Sequence, residues 1–427
     1  MMRSMFSAVS SLKAHQLRMD VIGNNIANVN TVGFKSSRVT FQEVFNQTLK
    51  GAGRPQEGGR GGTNPQQVGL GISVSSMDTF HTRGSAERTD KNTDVMINGD
   101  GFFMVSDSKD GANKNYTRAG NFYVDTTGNL VTANGYHVLG YNMDEDGKFT
   151  DELGGIQISK SVSSEPKATD KVSFDGNINS DIDPATAAGD DGGTFNSTMK
   201  VFDSLGNEHT IELQFERTDE GDSSNREFNV SVAKINGEDV VAGDYDDVEL
   251  TFDESGKLTA GSELNLKIGD NIDGFQGASQ LDIDIDLSEV TNYAAESDAS
   301  ASVINGYSSG KLEEFAISPV GEVEAVFSNG DVKIIGKIGL ANFNNPAGLE
   351  KTGSNMYRQT SNSGQPQFGH AGMGGFGELN PGNLEMSNVD LSREFTDMIT
   401  TQRGFQANSR VITTSDEMLQ ELVNMKR

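Results

Sequence analysis

The chain has no cysteine and no tryptophan, and only eight prolines and five histidines among 427 residues. Without cysteine there is no disulfide framework and no thiolate chemistry. His15, His81, His137, His209 and His370 are scattered, with no ligand pair and no H-E-x-x-H spacing. Neither a metal centre nor a cofactor is therefore expected. No apolar run reaches the roughly 20 residues that cross a bilayer as a helix, so membrane insertion is not expected. The N-terminus, MMRSMFSAVSSLKAHQ, lacks the unbroken apolar segment and small-residue cleavage site of a secretory signal. If the protein leaves the cell, another route must carry it.

Positive charge is also scarce. Lys and Arg number 34 against 62 Asp and Glu, a net charge of −28. Residues 141–300 carry 37 acidic and 10 basic side chains, a net of −27, and the remainder is nearly neutral. Such a block repels nucleic acid and anionic lipid and favours a solvated surface, so no nucleic-acid partner is expected.

The length allows two or three domains. The last stretch, from Leu391 to Arg427, places Leu391, Met398, Phe405, Ile412 and Leu419 at every seventh position, with Phe395 and Val423 among the positions four residues on. On a helix these form one narrow stripe. Met5, Leu12, Met19 and Ile26 repeat the spacing at the other end of the chain. Two thin seams at opposite termini predict that the ends meet as a coiled-coil-like helical pair, 1–30 with 390–427. So little apolar surface does not repay the ordering of two isolated helices, and neighbouring copies are expected to supply the rest.

Between the helices the pattern is β. Connecting segments are expected at 31–70 and 361–389. Within the first, TFQEVFNQTL (40–49) has Phe41, Val44, Phe45 and Leu49 at helical spacing, and 51–69 is rich in glycine. An inner β domain is expected from 71–146 and 301–360, and an outer acidic β domain from 147–300. DVMINGDGFFMV (94–105) reads as strand, turn and strand, and MKVFDSLGNEHTIELQFER (199–217) as a hairpin turning at Leu205 to Asn207. LDIDIDL (281–287) alternates apolar and carboxylate faces. The order is nested: mainly β, closed at both ends by helix.

Three motifs suggest chemistry and lose it in context. Gly306-x-Ser308-x-Gly310 fits a hydrolase elbow, but strand-like sequence follows it and only His370 lies downstream. Gly372, Gly374 and Gly377 have dinucleotide-binding spacing without the preceding strand, and read as a linker. Asp282, Asp284 and Asp286, like Asp144 and Asp146, lack the glycine and closing glutamate of a calcium loop. No catalytic residue is expected.

The terminal segments resemble the bacterial flagellar axial family, the rod and hook proteins. ANVNTVGFK (27–35) is similar to that family's N-terminal signature, carried here by Ala27, Asn28, Asn30, Thr31, Gly33, Phe34 and Lys35. LEMSNVDLSREFTDMITTQRGFQANSRVITTSDEMLQELVNM (384–425) is similar to its C-terminal one, and DVMINGDGFFMV and TRAGNFYVDTTGNL to its first β domain. The acidic insertion and TFQEVFNQTL favour hook members over distal-rod or junction components. The resemblance implies an extracellular, non-enzymatic subunit of the basal body and hook. It would assemble with itself into an open helical polymer that transmits torque as a universal joint. It also implies contacts with other axial proteins (distal rod, hook cap, hook–filament junction) and export by the flagellar type III apparatus without a cleaved signal. The chain departs from hook proteins that cross-link through cysteine.

Overall fold

A computed structural model describes residues 2–54, 62–144, 147–158, 163–182, 193–218, 226–240, 247–268 and 279–425. The fold is mainly β, with one long helix at each end: α1, Met2–Ala27, and α2, Leu391–Asn424. The chain divides into two compact units. The first is Met1–Ser159, Phe315–Glu324 and Ile334–Arg427; the second is Lys160–Glu314 and Ala325–Lys333. Residues 147–158 stay with the first unit because Phe149–Gly155 pairs with His137–Met143. Residues 301–314 join the second, where Ser300–Ile304 pairs with Lys171–Asn177.

In the first unit, Phe102–Ser106 is flanked by Lys114–Thr117 and His137–Met143, and Phe102 and Phe103 also pair with Ala341 and Leu340. Phe102, Met104, Tyr116, Leu139, Phe343 and Tyr357 pack on one side of it. On the other side Phe103 meets Phe122 edge to face at 5.0 Å. Val95–Asn98 and Phe102–Ser106 are the expected strands around the Asn98-Gly99 bend, but they do not pair. Buried as heavily as they are, each finds its partner elsewhere, Val95–Asn98 on Glu378–Pro381.

Two expectations fail here. TFQEVFNQTL is not helical: Ser37–Glu43 pairs with Ile72–Thr79, and Asn46–Lys50 with Gln66–Gly69. Residues 42–50 are exposed, so no helical face is buried there and ribbon pairing satisfies the backbone instead. The Gly-rich segment 361–383 is not a linker either. Gln367–His370 pairs with residues 339–342, and Glu378–Pro381 with 95–98. Two of its glycines serve close approach: a Cβ at Gly369 would sit 2.5 Å from the Phe376 ring, and one at Gly377 2.6 Å from the Asn98 carbonyl oxygen.

The second unit has two sheets sharing one apolar core. Thr194–Phe202, Glu208–Arg217, Arg226–Ile235 and Val248–Phe252 run antiparallel in one. In the other, Leu281–Thr291 lies between Glu263–Ile268 and Lys171–Asn177, parallel to the latter. Leu281, Ile283, Ile285 and Leu287 are buried, while Asp282 and Asp284 face water, as the alternation requires. The hydrolase-like glycines are steric. A Cβ at Gly306 would strike Thr169 and one at Gly310 would strike Asn329, whose amide donates to the Ser308 carbonyl.

One turn device recurs in both units. Asp125, Asp203 and Asp253 open the runs DTTGN, DSLGN and DESGK. In each, Oδ1 accepts backbone N–H bonds from the second and fourth residues on, at 2.7 to 2.9 Å. The intervening Gly128, Gly206 and Gly256 take φ of 84°, 85° and 77°. Asp203 is buried. Burial alone would raise its carboxyl, but bonds from Asn207, His209 and Leu205 outweigh it and hold the group below the usual range. That stabilisation is present above the ordinary carboxylate pKa and is lost as pH falls through the depressed value. Asp203→Ala should strand those donors and cost the second unit about 2–3 kcal/mol, read as a lowered urea midpoint. The same change at exposed Asp253 should cost less.

Candidate assembly surface and the clasp beneath it

The two helices pack antiparallel. Asn25 Nδ2 donates to Glu394 Oε1 (3.2 Å), Arg18 pairs with Asp397 (3.0 Å), and Asn408 Nδ2 donates to Ser11 Oγ (2.9 Å). His15 faces Gly404, where a Cβ would lie 3.0 Å from its Nε2. A glycine inside a helix costs about 1 kcal/mol relative to alanine, and here it admits the imidazole. α1 also lies on the ribbon Ser37–Glu43/Ile72–Thr79, with Asn25 Nδ2 donating to the Ser37 carbonyl and His15 edge-on to Phe41. Asp390 caps α2, accepting from the amides of Ser392 and Arg393 and placing negative charge at the positive helix end.

The sevenfold repeat locates the seam on α2, but its inner line is more polar than expected. Met398, Phe405, Ile412 and Leu419 are half-buried, and the fully buried residues are Thr401 and Ser415. Leu391, Phe395 and Val423 are exposed, at 39%, 50% and 68%. On α1, Met5, Leu12, Met19 and Ile26 are half-buried beside the contact line, which is made by Ser11, His15, Arg18 and Asn25. Large apolar side chains stay open to solvent on both helices, among them Met2, Phe6, Ile399, Met418, Leu422 and Met425. The ribbon adds Phe45 (72% exposed) and Leu49 (60%). Asp146 lies outside the described residues.

Beneath the pair, a buried ionic clasp joins the chain halves. Lys35 Nζ lies 2.6 Å from Glu385 Oε1, with both side chains fully buried. Lys35 also donates to the Thr82 carbonyl (2.7 Å), and the Gly84 amide to Glu385 Oε1 (2.9 Å). Arg118, 3.6 Å from Glu385 Oε2, stacks over the Phe102 ring at 5.1 Å. Burial pulls Lys35 and Arg118 below their ordinary ranges, against the attraction of Glu385.

Three of the seven signature residues, Gly33, Phe34 and Lys35, serve this clasp. The Gly33 amide donates to the Glu385 carbonyl (2.7 Å). Gly33 has φ +68°, and a Cβ there would meet the Ala119 backbone at 2.6 Å, so only glycine fits. Asn28 bonds back to the Asn24 carbonyl and accepts from Thr31 Oγ1, closing α1. Phe34 lies under Lys351, whose Nζ donates to the Lys35 carbonyl. Ala27 and Asn30 are exposed. Sequence reasoning missed Glu385, Arg118 and Asn388, which accepts from the Ser36 amide.

Comparison with known proteins covers every part of this architecture. Residues 5–35 match the flagella basal body rod protein family, and 96–179 the flagellar hook protein FlgE/F/G D1 domain. Residues 173–307 match the flagellar basal body protein FlaE D2 domain, and 380–425 the flagellar basal body rod FlgEFG protein C-terminal family. The chain is 39% identical to the flagellar hook protein FlgE of Borreliella burgdorferi and 38% to that of Treponema pallidum, in each case over 100% of both chains. It is 33% identical to the flagellar basal-body rod protein FlgG of Bacillus subtilis, again over 100% of both.

Because a broken buried pair leaves an uncompensated charge, Lys35→Met should destabilise the first unit by about 3–5 kcal/mol in urea denaturation. Arg18→Ala, at a half-exposed pair on the helices, should cost under about 1 kcal/mol in the same measurement.

Proposed function

The chain belongs to the FlgE/F/G family of flagellar hook and rod proteins, and from that membership we propose that it is the structural subunit of the flagellar hook. The protein is a building block and not an enzyme. The observation that carries this reading is the terminal helix pair, with its polar inner seam and its large apolar side chains left in water. A monomer rarely leaves so many such residues open on one element, whereas a polymer covers them.

In an open helical array each copy repeats one heterologous contact, and the exposed stripes of α1 and α2 are the surfaces it would use. Met5, Leu12, Met19, Ile26, Leu391, Phe395, Met398, Phe405, Ile412, Leu419 and Val423 then divide into two groups. Some flank the seam within a chain, and Leu391, Phe395 and Val423 face the next chain. The helices line the tube, and the acidic second unit is its solvated outer part. Bending as a universal joint is taken up between subunits rather than within 361–383, whose strand pairing resists flexing. Other axial proteins cap and continue the tube, and the flagellar type III apparatus exports the subunit to the outside of the cell. A rod role is the second reading, favoured by the full-length likeness to the Bacillus subtilis rod protein; complementation of a hookless strain separates the two.

Phe395→Asp lies on an exposed helix face, so it should change monomer stability by no more than about 0.5 kcal/mol. It should nevertheless abolish tube formation in electron micrographs and sedimentation. Normal curved tubes from this variant would overturn the assignment of that face.

A further inference from the structure

Residues 80–82 run through the clasp and hold both of its halves. The Phe80 carbonyl and Thr82 Oγ1 each accept from Asn388 Nδ2 at 2.9 Å, and the Thr82 carbonyl accepts from Lys35. His81 sits between them, edge to face with Phe102 (5.5 Å) and Tyr357 (5.4 Å). Its Nδ1 is buried with no hydrogen-bond partner.

The charges around this ring are unbalanced. Lys35 from the N-terminal signature, Arg118 beyond the strand Lys114–Thr117, and Lys351 from Glu350–Gly353 all oppose a charged imidazole. Among the described residues Glu385 is the one carboxylate bonded into the cluster, and Lys35, the Gly84 amide and Arg118 already engage it. Asp100 acts on Arg118. The Tyr357 phenol, pushed up to about 12 chiefly by burial, stays neutral.

We propose that His81 is an acid release for the clasp: protonating its imidazole drives residues 80–82 out of the joint and frees Lys35 and Asn388 together. Both chain halves lose one shared support in a single event, because Lys35 and Asn388 each bond to these three residues.

Burial first, and then the three cations, push His81 down to about 4 from the ordinary 6.5. The native joint thus holds a neutral ring at pH values where an opened one takes up a proton. Within that window the opened form binds the extra proton, so stability falls as pH falls, by about tenfold in the opening equilibrium per pH unit. Below the native value both forms are charged and the dependence flattens.

The test is amide exchange on the full-length monomer from pH 7 to 4.5, with opening constants corrected for intrinsic exchange rates. Gly84 and Ser36 report directly, since their N–H groups donate to Glu385 and Asn388. Opening should rise about 40-fold from pH 6.5 to 4.5 in the unsubstituted chain and stay nearly flat in His81→Gln. The same rise in His81→Gln would overturn the proposal. Should that variant fail to fold, the His81 ring signals of the unsubstituted chain decide: titration below pH 5 supports the release, and titration near 6.5 sinks it.

Discussion

Everything at the helical end of the molecule depends on one buried ion pair, Lys35 with Glu385. The two residues are 350 positions apart. Closing a loop of that length costs on the order of 5 kcal/mol beyond a constant term. The pair does not meet that cost by itself, because burying two charges consumes most of what their attraction returns. Strand pairing does the closing: Val95–Asn98 on Glu378–Pro381, and Ala86–Arg88 on Asn383–Glu385. The ion pair then sets register. A slip of one residue would turn Glu385 to the other face of its strand and leave Lys35 buried and alone. Such a slip is heavily penalised, so α1 and α2 start from fixed points.

That fixed start explains how so polar a seam can pair two helices. Once the clasp holds residues 33–36 against 385–388, α1 and α2 meet at the effective concentration of a short tether rather than of a long free loop. Weak contacts such as Ser11 with Asn408 and Arg18 with Asp397 are then enough to choose the antiparallel arrangement. The apolar side chains, relieved of that duty, remain on outer faces. Local economy in the seam and availability for assembly are two sides of one distribution of residues.

The same distribution limits what could be read in the sequence. The sevenfold repeat located both helices and the half-buried Met398, Phe405, Ile412 and Leu419, because a stripe of large residues is visible in one dimension. It misplaced the flank. An apolar criterion chooses Phe395 over its neighbour Glu394, yet Glu394 is the residue that reaches Asn25. On α1 it chooses Met19 over Arg18 for the same reason. The clasp was half legible: Gly33 and Lys35 lie in one recognisable motif and Glu385 in another, but nothing in either marks the two as partners. The ribbon at 37–50 was missed because Phe41, Val44, Phe45 and Leu49 suit a helix, and only the facing strands decide otherwise.

Glycine gave the most consequential misreading. Fifty glycines suggest pliancy, and in sequence Gly372, Gly374 and Gly377 read as a linker. Yet Gly369 and Gly377 are there because Phe376 and the Asn98 carbonyl leave no room for a Cβ, and Gly33 because the Ala119 backbone leaves none. A glycine that lets two backbones touch stiffens the structure, since it brings polar groups within bonding reach and removes void. In a structural subunit whose helices and β domain must keep one geometry, the junction is where compliance would be most damaging. There the buried carboxylate, its cations and these close contacts are concentrated. Flexibility between subunits is compatible with this arrangement, and flexibility across the clasp is not.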